Sequence, residues 1–128
     1  MSKYLILKKR KDFLKAAKDI TMVTKNVMLQ AACRLSDENV NNARIGFTAT
    51  KKLGKANVRN RVKRRLRAII QELYPDVTLD NVDYVLVGRF NTYSCSYQDL
   101  KKDIIWAFKK TNKMIQDRNN EKDIDSDC

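Results

Sequence analysis

The chain has 128 residues, of which 43% are apolar, and this length and composition suit one folded domain with a modest core. Lysine and arginine outnumber acidic residues 27 to 15, so the net charge of +12 favours a polyanionic partner, nucleic acid first and a membrane surface second. No apolar run approaches the roughly 20 residues of a spanning helix, and the start has no apolar signal segment, so we expect a cytoplasmic protein without a membrane partner.

The residue types argue against a catalytic site made by the protein itself. The sequence contains no histidine, the most common general base and metal ligand. Its three cysteines are too far apart for a zinc site. A protein-only nuclease would need converging carboxylates, and the scattered Asp83, Asp99 and Asp103 give that alternative poor support. We therefore expect neither a catalytic residue nor a metal site in the protein.

The first predicted elements are a short helix and two strands. Residues 9–18 have helical spacing. The apolar side of this helix carries Phe13, Leu14 and Ala17. Residues 27–35 and 43–50 have the composition of strands, and the polar turn formers between them predict that the two strands pair antiparallel.

A long helix, a third strand and a last helix follow. Asn57 is the predicted N-cap of the long helix, and Pro75 ends it because the residue before proline disfavours the α region. Residues 82–89 are β-branched and aromatic, which predicts a strand. The last helix is expected to run from Ser96 to about residue 116, with one apolar face. That face carries Tyr97, Leu100, Ile104, Phe108, Thr111 and Ile115. The pattern predicts an α+β fold, a small sheet with helices packed on it.

Residues 117–128 differ from the rest in composition. They contain five acids, two bases and one large apolar residue, which predicts an acidic, disordered tail after a single domain at 1–116. Asp123, Asp125 and Asp127 alternate as in part of a calcium loop, but the glycine and terminal glutamate of such a loop are missing. A solvated tail is the better interpretation.

The stretch from residue 51 to 67 is the most unusual part of the chain. Nine of its 17 residues are basic and none is acidic. Its apolar residues form one helical stripe about 120° wide, which we expect to pack on the sheet. The stripe comprises Val58, Val62, Leu66, Ile69, Ile70 and Leu73. A solvated face or a localisation signal would explain a basic run, but an amphipathic helix with an exposed arginine-rich side favours nucleic-acid binding.

The segment ARIGFTATKKLGKANVRNRVKRRLR, residues 43–67, resembles the signature of the bacterial ribonuclease P protein family. The core of the resemblance is an Arg-Asn-Arg motif at Arg59, Asn60 and Arg61. The start of the chain, LKKRKDF at residues 7–13, matches as well, and the resemblance covers about residues 3–115. The predicted elements have the order α-β-β-α-β-α, and the resemblance implies that they form an α–β sandwich in which the basic helix connects parallel strands by a left-handed crossover.

The resemblance also implies a function. Such a protein is the subunit of an endoribonuclease that removes the 5′ leader of precursor tRNA, and the catalytic RNA subunit performs the Mg²⁺-dependent hydrolysis. The Mg²⁺ would be bound mainly by the RNA and the substrate. We expect a monomer in a 1:1 complex with the RNA. The alternative is a ribosome-associated or general RNA-binding protein, which would bind several structured RNAs alike.

Two binding surfaces follow from the resemblance. The expected contacts to the catalytic RNA are Lys51, Lys52, Lys55, Arg59, Asn60, Arg61, Lys63, Arg64, Arg65 and Arg67. The leader would lie in a cleft between the sheet and the first helix, contacted by Phe13, Lys9, Arg10, Ala17, Gln30 and Arg44. A base-stacking Phe13 and a core Phe13 are equal alternatives. Ala17 and Gln30 stand near positions where members of the family carry aromatic residues, so we expect leader contacts that depend more on hydrogen bonds and charge.

Overall fold

A computed structural model of the chain describes residues 4–33 and 42–121, with side chains as far as Arg118. Within these ranges the chain forms five strands, four α-helices and one 3₁₀ turn. In chain order they are β1 (Leu5–Ile6), α1 (Arg10–Lys18), β2 (Ile20–Val23), β3 (Val27–Cys33), β4 (Arg44–Thr48), the 3₁₀ turn (Lys51–Leu53), α2 (Ala56–Leu73), β5 (Val82–Gly88), α3 (Phe90–Ser94) and α4 (Tyr97–Glu121).

The strands form one mixed sheet in the order β1-β4-β5-β3-β2. β4 is parallel to β1 and β5, whereas β3 is antiparallel to β5 and β2. The expectation that the strands predicted at 27–35 and 43–50 pair with each other is therefore wrong, because β5 lies between them. β5 is buried almost throughout and, apart from Asp83, has no charged residue on either side, as expected of a strand in the middle of a sheet.

Helices cover the two faces of the sheet unequally. On the covered face, α2 packs on β4 and β5 while α4 packs on β3 and β2. The predicted apolar stripe of α2 is confirmed, since its central residues are fully buried there: Val62, Leu66, Ile69 and Ile70. The other face, called the α1 face, carries only the nine-residue α1 among the described helices. The α+β class with helices packed on a sheet is confirmed.

The long helices are close to their predicted positions. α2 ends at Leu73, before Pro75, as predicted. Its N-cap is Lys55 and not Asn57, which lies inside the first turn. At the start of α4, the Asp99 N–H donates to Ser96 Oγ over 3.1 Å, so the Ser96 side chain caps the helix close to its predicted start. The parallel pairing of β4 and β5 is confirmed, while the handedness of the crossover stays a prediction.

Other details of the sequence prediction need correction. β1, β2 and α3 were not predicted, because elements of two to five residues carry too little periodicity. The buried side of α1 carries Phe13 and Ala16, so the predicted apolar side with Leu14 and Ala17, both exposed, is wrong.

α4 continues to Glu121, five residues past its predicted end. The first residues of the predicted tail are therefore helical. Residues 122–128 lie outside the described part of the chain, so the division into a domain and a tail stays a prediction. No helix in the described ranges is both long and apolar enough to span a membrane.

Candidate nucleic-acid interface

The basic stretch forms one continuous exposed surface. The 3₁₀ turn carries Lys51 and Lys52, and Gly54, with φ of 140°, redirects the backbone into α2. α2 then buries its apolar stripe and directs the opposite side to solvent. We define the basic surface as the exposed or half-exposed Lys51, Lys52, Lys55, Asn60, Arg61, Lys63, Arg64 and Arg67.

The start of α2 adds a further positive charge to this surface. Lys55 is its N-cap and makes no side-chain cap hydrogen bond, and no acidic residue lies in the first turn. The first backbone N–H groups of a helix lack helical partners and carry the positive end of its dipole. These groups attract an anion such as a phosphate. The helix start and the lysine side chains therefore both favour binding of an anion.

Two arginines of the basic surface lie against aromatic rings. The Arg61 guanidinium carbon is 5.2 Å from the centre of the Tyr93 ring, and that of Arg67 is 5.5 Å from the centre of Phe47. Such contacts orient a guanidinium while leaving its N–H groups available to an acceptor. Tyr4 packs edge-on against Phe47. Burial raises the pKa of Tyr4, although nearby Arg67 opposes the shift, so its phenol is neutral at physiological pH.

Arg65 is held differently from its neighbours. Its Nη1 donates to the carbonyl oxygens of Thr92 (2.6 Å) and Tyr93 (3.0 Å), and its Nη2 donates to that of Cys95 (2.7 Å). Arg65 therefore fastens α3 to α2 and holds Tyr93 beside Arg61. Arg59 is also partly buried, and its buried Nε makes no hydrogen bond within the described ranges.

The second predicted surface, around α1, is built from three rows of side chains. The strand register places these rows side by side across the α1 face. The first row is Arg44, Asp83 and Ala32, the middle row is Gly46, Val85, Gln30 and Thr21, and the outer row is Thr48, Val87, Met28 and Val23. Ala32, Asp83 and Val85 are buried, whereas every residue of the outer row keeps some exposure. An open strip of sheet thus borders α1.

Phe13 lies at the edge of this strip. A Cβ atom added to Gly46 would lie 2.6 Å from two carbons of the Phe13 ring, so the ring rests directly on the backbone of β4. The ring is partly buried and packs with the cluster around Ala16 and Val85. It therefore combines the packing of a core residue with an accessible edge.

The other predicted leader residues surround this strip. Lys9, Arg10 and Ala17 are exposed on or next to α1, and Gln30 is half-buried in the middle row. Arg44 donates from Nε and Nη2 to the buried carboxylate of Asp83 over 2.7 and 2.6 Å, and its Nη1 is 3.5 Å from Asp12 Oδ2. The Arg44 guanidinium is therefore largely engaged by carboxylates of the protein.

Several exposed aromatic residues were not predicted to be functional. Phe90 is 70% exposed and Tyr93 is 40% exposed on α3, and Trp106 is 44% exposed on α4. A single sequence gives no signal for them, because aromatic residues at helical spacing usually belong to the core. Among the described residues, no group of three or more cysteine or acidic residues is arranged to hold a metal ion.

Comparison with known proteins agrees with these features. The model of the family "Ribonuclease P" matches residues 1–112. The chain is 42% identical to the ribonuclease P protein component of Ruegeria pomeroyi, with 82% of this chain and 84% of that protein covered. It is 36% identical to that of Streptococcus thermophilus, with 85% and 94% covered.

The fold is similar to solved structures of the same kind of protein. The Staphylococcus aureus RNase P protein superposes with a TM-score of 0.69 at 20% identity, with 85% of this chain and 96% of that chain covered. The Thermotoga maritima protein superposes with a TM-score of 0.68 at 21% identity, with 81% and 94% covered. The family match and the sequence identities show that this chain belongs to the bacterial ribonuclease P protein family, the protein component of the endoribonuclease that matures the 5′ end of tRNA.

Proposed function

We propose that the basic surface of α2 binds the catalytic RNA and that the strip of sheet beside α1 binds the 5′ leader of precursor tRNA. The observation that carries this proposal is the division of the molecule. One side of α2 is anchored in the core while the other presents a dense cationic surface, and a separate partly apolar strip stays open on the opposite face of the sheet.

Phosphate binding fits the chemistry of the basic surface. Arginine grips phosphate through two parallel N–H donors, and the uncapped start of α2 offers backbone donors for another anion. Asn60 is exposed among the arginines and is suited to a base edge or a 2′-hydroxyl. Binding a polyanion here also relieves the repulsion among like charges four residues apart on the helix.

For Arg65 and Arg44 we propose a structural role instead of direct RNA contact. Their guanidinium groups already donate to acceptors within the protein, three carbonyls for Arg65 and the Asp83 carboxylate for Arg44. We assign them mainly to positioning, Arg65 for α3 and Arg44 for the first row of the α1 face. Arg61 and Arg64, which are exposed, are assigned to direct RNA contact.

The leader strip suits single-stranded RNA. Phe13 offers a ring on which a base could stack, and Gln30 offers a hydrogen-bonding amide in the middle row. Lys9 and Arg10, exposed at the start of α1, add positive charge beside the strip. A partly apolar track bordered by cations is the usual design of surfaces that bind a single strand.

The hydrolysis belongs to the RNA subunit in this proposal. Ribonuclease P generally requires Mg²⁺. The described residues do not fit a metal site, since Asp12 and Asp83 are engaged by Arg44 and no acidic cluster is present. We propose that the RNA and the substrate hold the Mg²⁺, that one protein binds one RNA, and that the complex works in the cytoplasm. The protein's part is to screen phosphate repulsion and to orient the leader.

Reconstitution tests this function. The protein is mixed with a bacterial ribonuclease P RNA and labelled precursor tRNA at low Mg²⁺, and release of the 5′ leader is followed. We expect stimulation that is lost in Arg61→Ala and Arg64→Ala. RNA binding without any stimulation of cleavage would instead support a general RNA-binding protein.

A further inference from the structure

Trp106 is the only tryptophan in the sequence and lies on the outer surface of α4. Its side chain is 44% exposed although α4 buries many apolar residues on its other side. The ring lines a shallow depression of about 440 Å³ together with Val23, Thr24, Lys102 and Asp103. A large ring left open beside a depression at the edge of the sheet is a candidate contact site.

The charges around this ring favour an anionic partner. Lys102, Lys109 and Lys110 are exposed on α4 near Trp106, and Lys110 Nζ lies 5.9 Å from the centre of the indole ring. The one carboxylate lining the depression, Asp103, accepts a hydrogen bond from the backbone N–H of Asn26 over 3.2 Å. An accessible aromatic face with lysines on both sides is the arrangement that binds a base and its phosphates.

The depression and the proposed leader strip meet at one residue of the sheet edge, Val23. The outer row of the α1 face runs from Thr48 on β4 through Val87 and Met28 to Val23 on β2, and Val23 itself lines the depression. The opposite end of this row leads towards Lys51 and Lys52 of the basic surface, which begin two residues after β4 ends. A single-stranded RNA that starts at the basic surface and crosses the row therefore comes to the edge strand β2, and it reaches Trp106 last by passing round that edge.

The row is short enough for a few nucleotides of RNA to cross it. Three strand spacings of about 4.8 Å separate β4 from β2, which gives a path of roughly 14 Å across the sheet. At the rise of about 3.4 Å per nucleotide in a stacked strand, about four nucleotides span this path.

We propose that Trp106, with Lys102 and Lys110, forms a subsite in which a base of the distal 5′ leader stacks after the strand has crossed the outer row. The inference rests on the proposed function, because it extends the leader path, and it assigns α4 a contact separate from both Phe13 and the basic surface. Long leaders bind more tightly than short ones through this subsite.

The fluorescence of the single tryptophan gives a direct test in the unmodified protein. The protein is first assembled with a ribonuclease P RNA and is then titrated with precursor tRNA carrying a leader of about three or about ten nucleotides. Base stacking is expected to quench the indole emission with the long leader and to leave it unchanged with the short one. Equal emission with both leaders would overturn the inference.

Affinity measurements on variants test the same subsite by another route. Trp106→Ala is expected to weaken binding of the long-leader substrate by at least about fivefold and of the short-leader substrate by less than about twofold. Trp106→Phe, which keeps a ring, should retain most of the affinity. Met114→Ala, which removes another exposed apolar side chain of α4, is the matched control and should change neither.

The outcomes separate this inference from the proposed function. If Trp106→Ala weakens both substrates equally, the residue contacts another part of the RNA and the leader subsite is wrong. If Trp106→Ala has no effect while Phe13→Ala weakens leader binding, the subsite fails and the leader strip stands. If Phe13→Ala also has no effect, the leader strip fails with it.

Discussion

The two faces of the sheet differ in how much apolar surface they bury. The covered face buries large side chains such as Tyr84, Phe108 and Leu66 between the sheet and the helices α2 and α4. In the described part of the chain, the α1 face has a small buried cluster around Ala16 and Val85, and its outer row keeps some exposure. Since buried apolar area provides most of the stability, the covered face can hold the fold while the α1 face stays available for binding.

Arg64 and Arg65 show the same division within one helix. Arg64 is exposed, whereas Arg65 donates three hydrogen bonds to the backbone of α3 and the residue after it. Adjacent residues of a helix point about 100° apart, so one arginine faces solvent while the next meets the neighbouring element. The same residue type is therefore available for the proposed RNA contact in one position and supports the fold in the other.

The largest expected effect is the loss of stability when a large side chain on the covered face is truncated. Phe108 is fully buried with its ring centre 4.8 Å from that of Tyr84, so Phe108→Ala should lower the free energy of unfolding by about 3–5 kcal/mol. Phe13→Ala on the α1 face should cost less, because that ring is only partly buried. Urea unfolding followed by circular dichroism measures both. Equal losses would contradict the division between the faces.

Replacement of Arg65 should affect stability before it affects RNA binding. Arg65→Ala leaves the carbonyls of Thr92, Tyr93 and Cys95 without this donor, and we expect a loss of about 1–3 kcal/mol in the free energy of unfolding. Arg64→Ala is the matched control and should stay within about 0.5 kcal/mol of the unmodified protein. A stability loss in Arg64→Ala, with none in Arg65→Ala, would reverse the two assignments.

Replacement of Arg64 should instead weaken RNA binding. Arg64→Ala is expected to reduce affinity for the catalytic RNA by about 1–3 kcal/mol and to lower the salt dependence of binding by about one phosphate contact, with unchanged circular dichroism. Arg64→Lys should restore the salt dependence but not the whole affinity, because lysine lacks the bidentate fork. Lys113→Ala removes one positive charge at a distant position already paired with Asp117. If it weakens binding as much as Arg64→Ala, only net charge matters.

The smallest expected effect is on the stability of the protein at alkaline pH, where the Tyr84 phenol ionises. Burial raises the pKa of this phenol well above its usual value of about 10, and its O–H donates to Asn112 Oδ1 over 2.6 Å. The unfolded chain ionises first, so the stability from the neutral phenol is present below about pH 10 and is lost as the pH rises further. Tyr84→Phe should be slightly less stable at neutral pH and should lose less stability above pH 10. If the free energy of unfolding changes with pH in the same way for both proteins, ionisation of Tyr84 does not contribute to the loss of stability above pH 10.

The long elements of the fold could be predicted from the sequence, but the pairing of the strands could not. The stripe from Val62 to Ile70 has helical periodicity, and Pro75 marks the end of α2. The place of β5 between β3 and β4 depends on contacts between distant segments, which local periodicity does not encode. The α+β class was therefore predicted correctly while the antiparallel pair was wrong.

The candidate site was predictable to a similar extent. The density of charge at residues 51–67 and the Arg-Asn-Arg motif are visible in the sequence, and both indicate RNA binding. Helical geometry places Arg65 at the edge of the apolar stripe and Arg64 opposite it. The three carbonyls that engage Arg65 belong to α3 and its end, about 30 residues later, so these contacts were not predictable from the local pattern. The exposure of Trp106 also depends on the packing of α4 against the edge of the sheet.

The measurement that tests the central claim most directly is leader discrimination by the reconstituted complex. Affinities for precursor tRNA with and without its 5′ leader are compared for the unmodified protein, Phe13→Ala and Arg64→Ala. If the α1 face binds the leader and α2 binds the catalytic RNA, Phe13→Ala reduces the preference for the leader, whereas Arg64→Ala weakens assembly with the RNA and keeps that preference once assembled. A preference that survives Phe13→Ala and disappears with Arg64→Ala would contradict the division between the two surfaces.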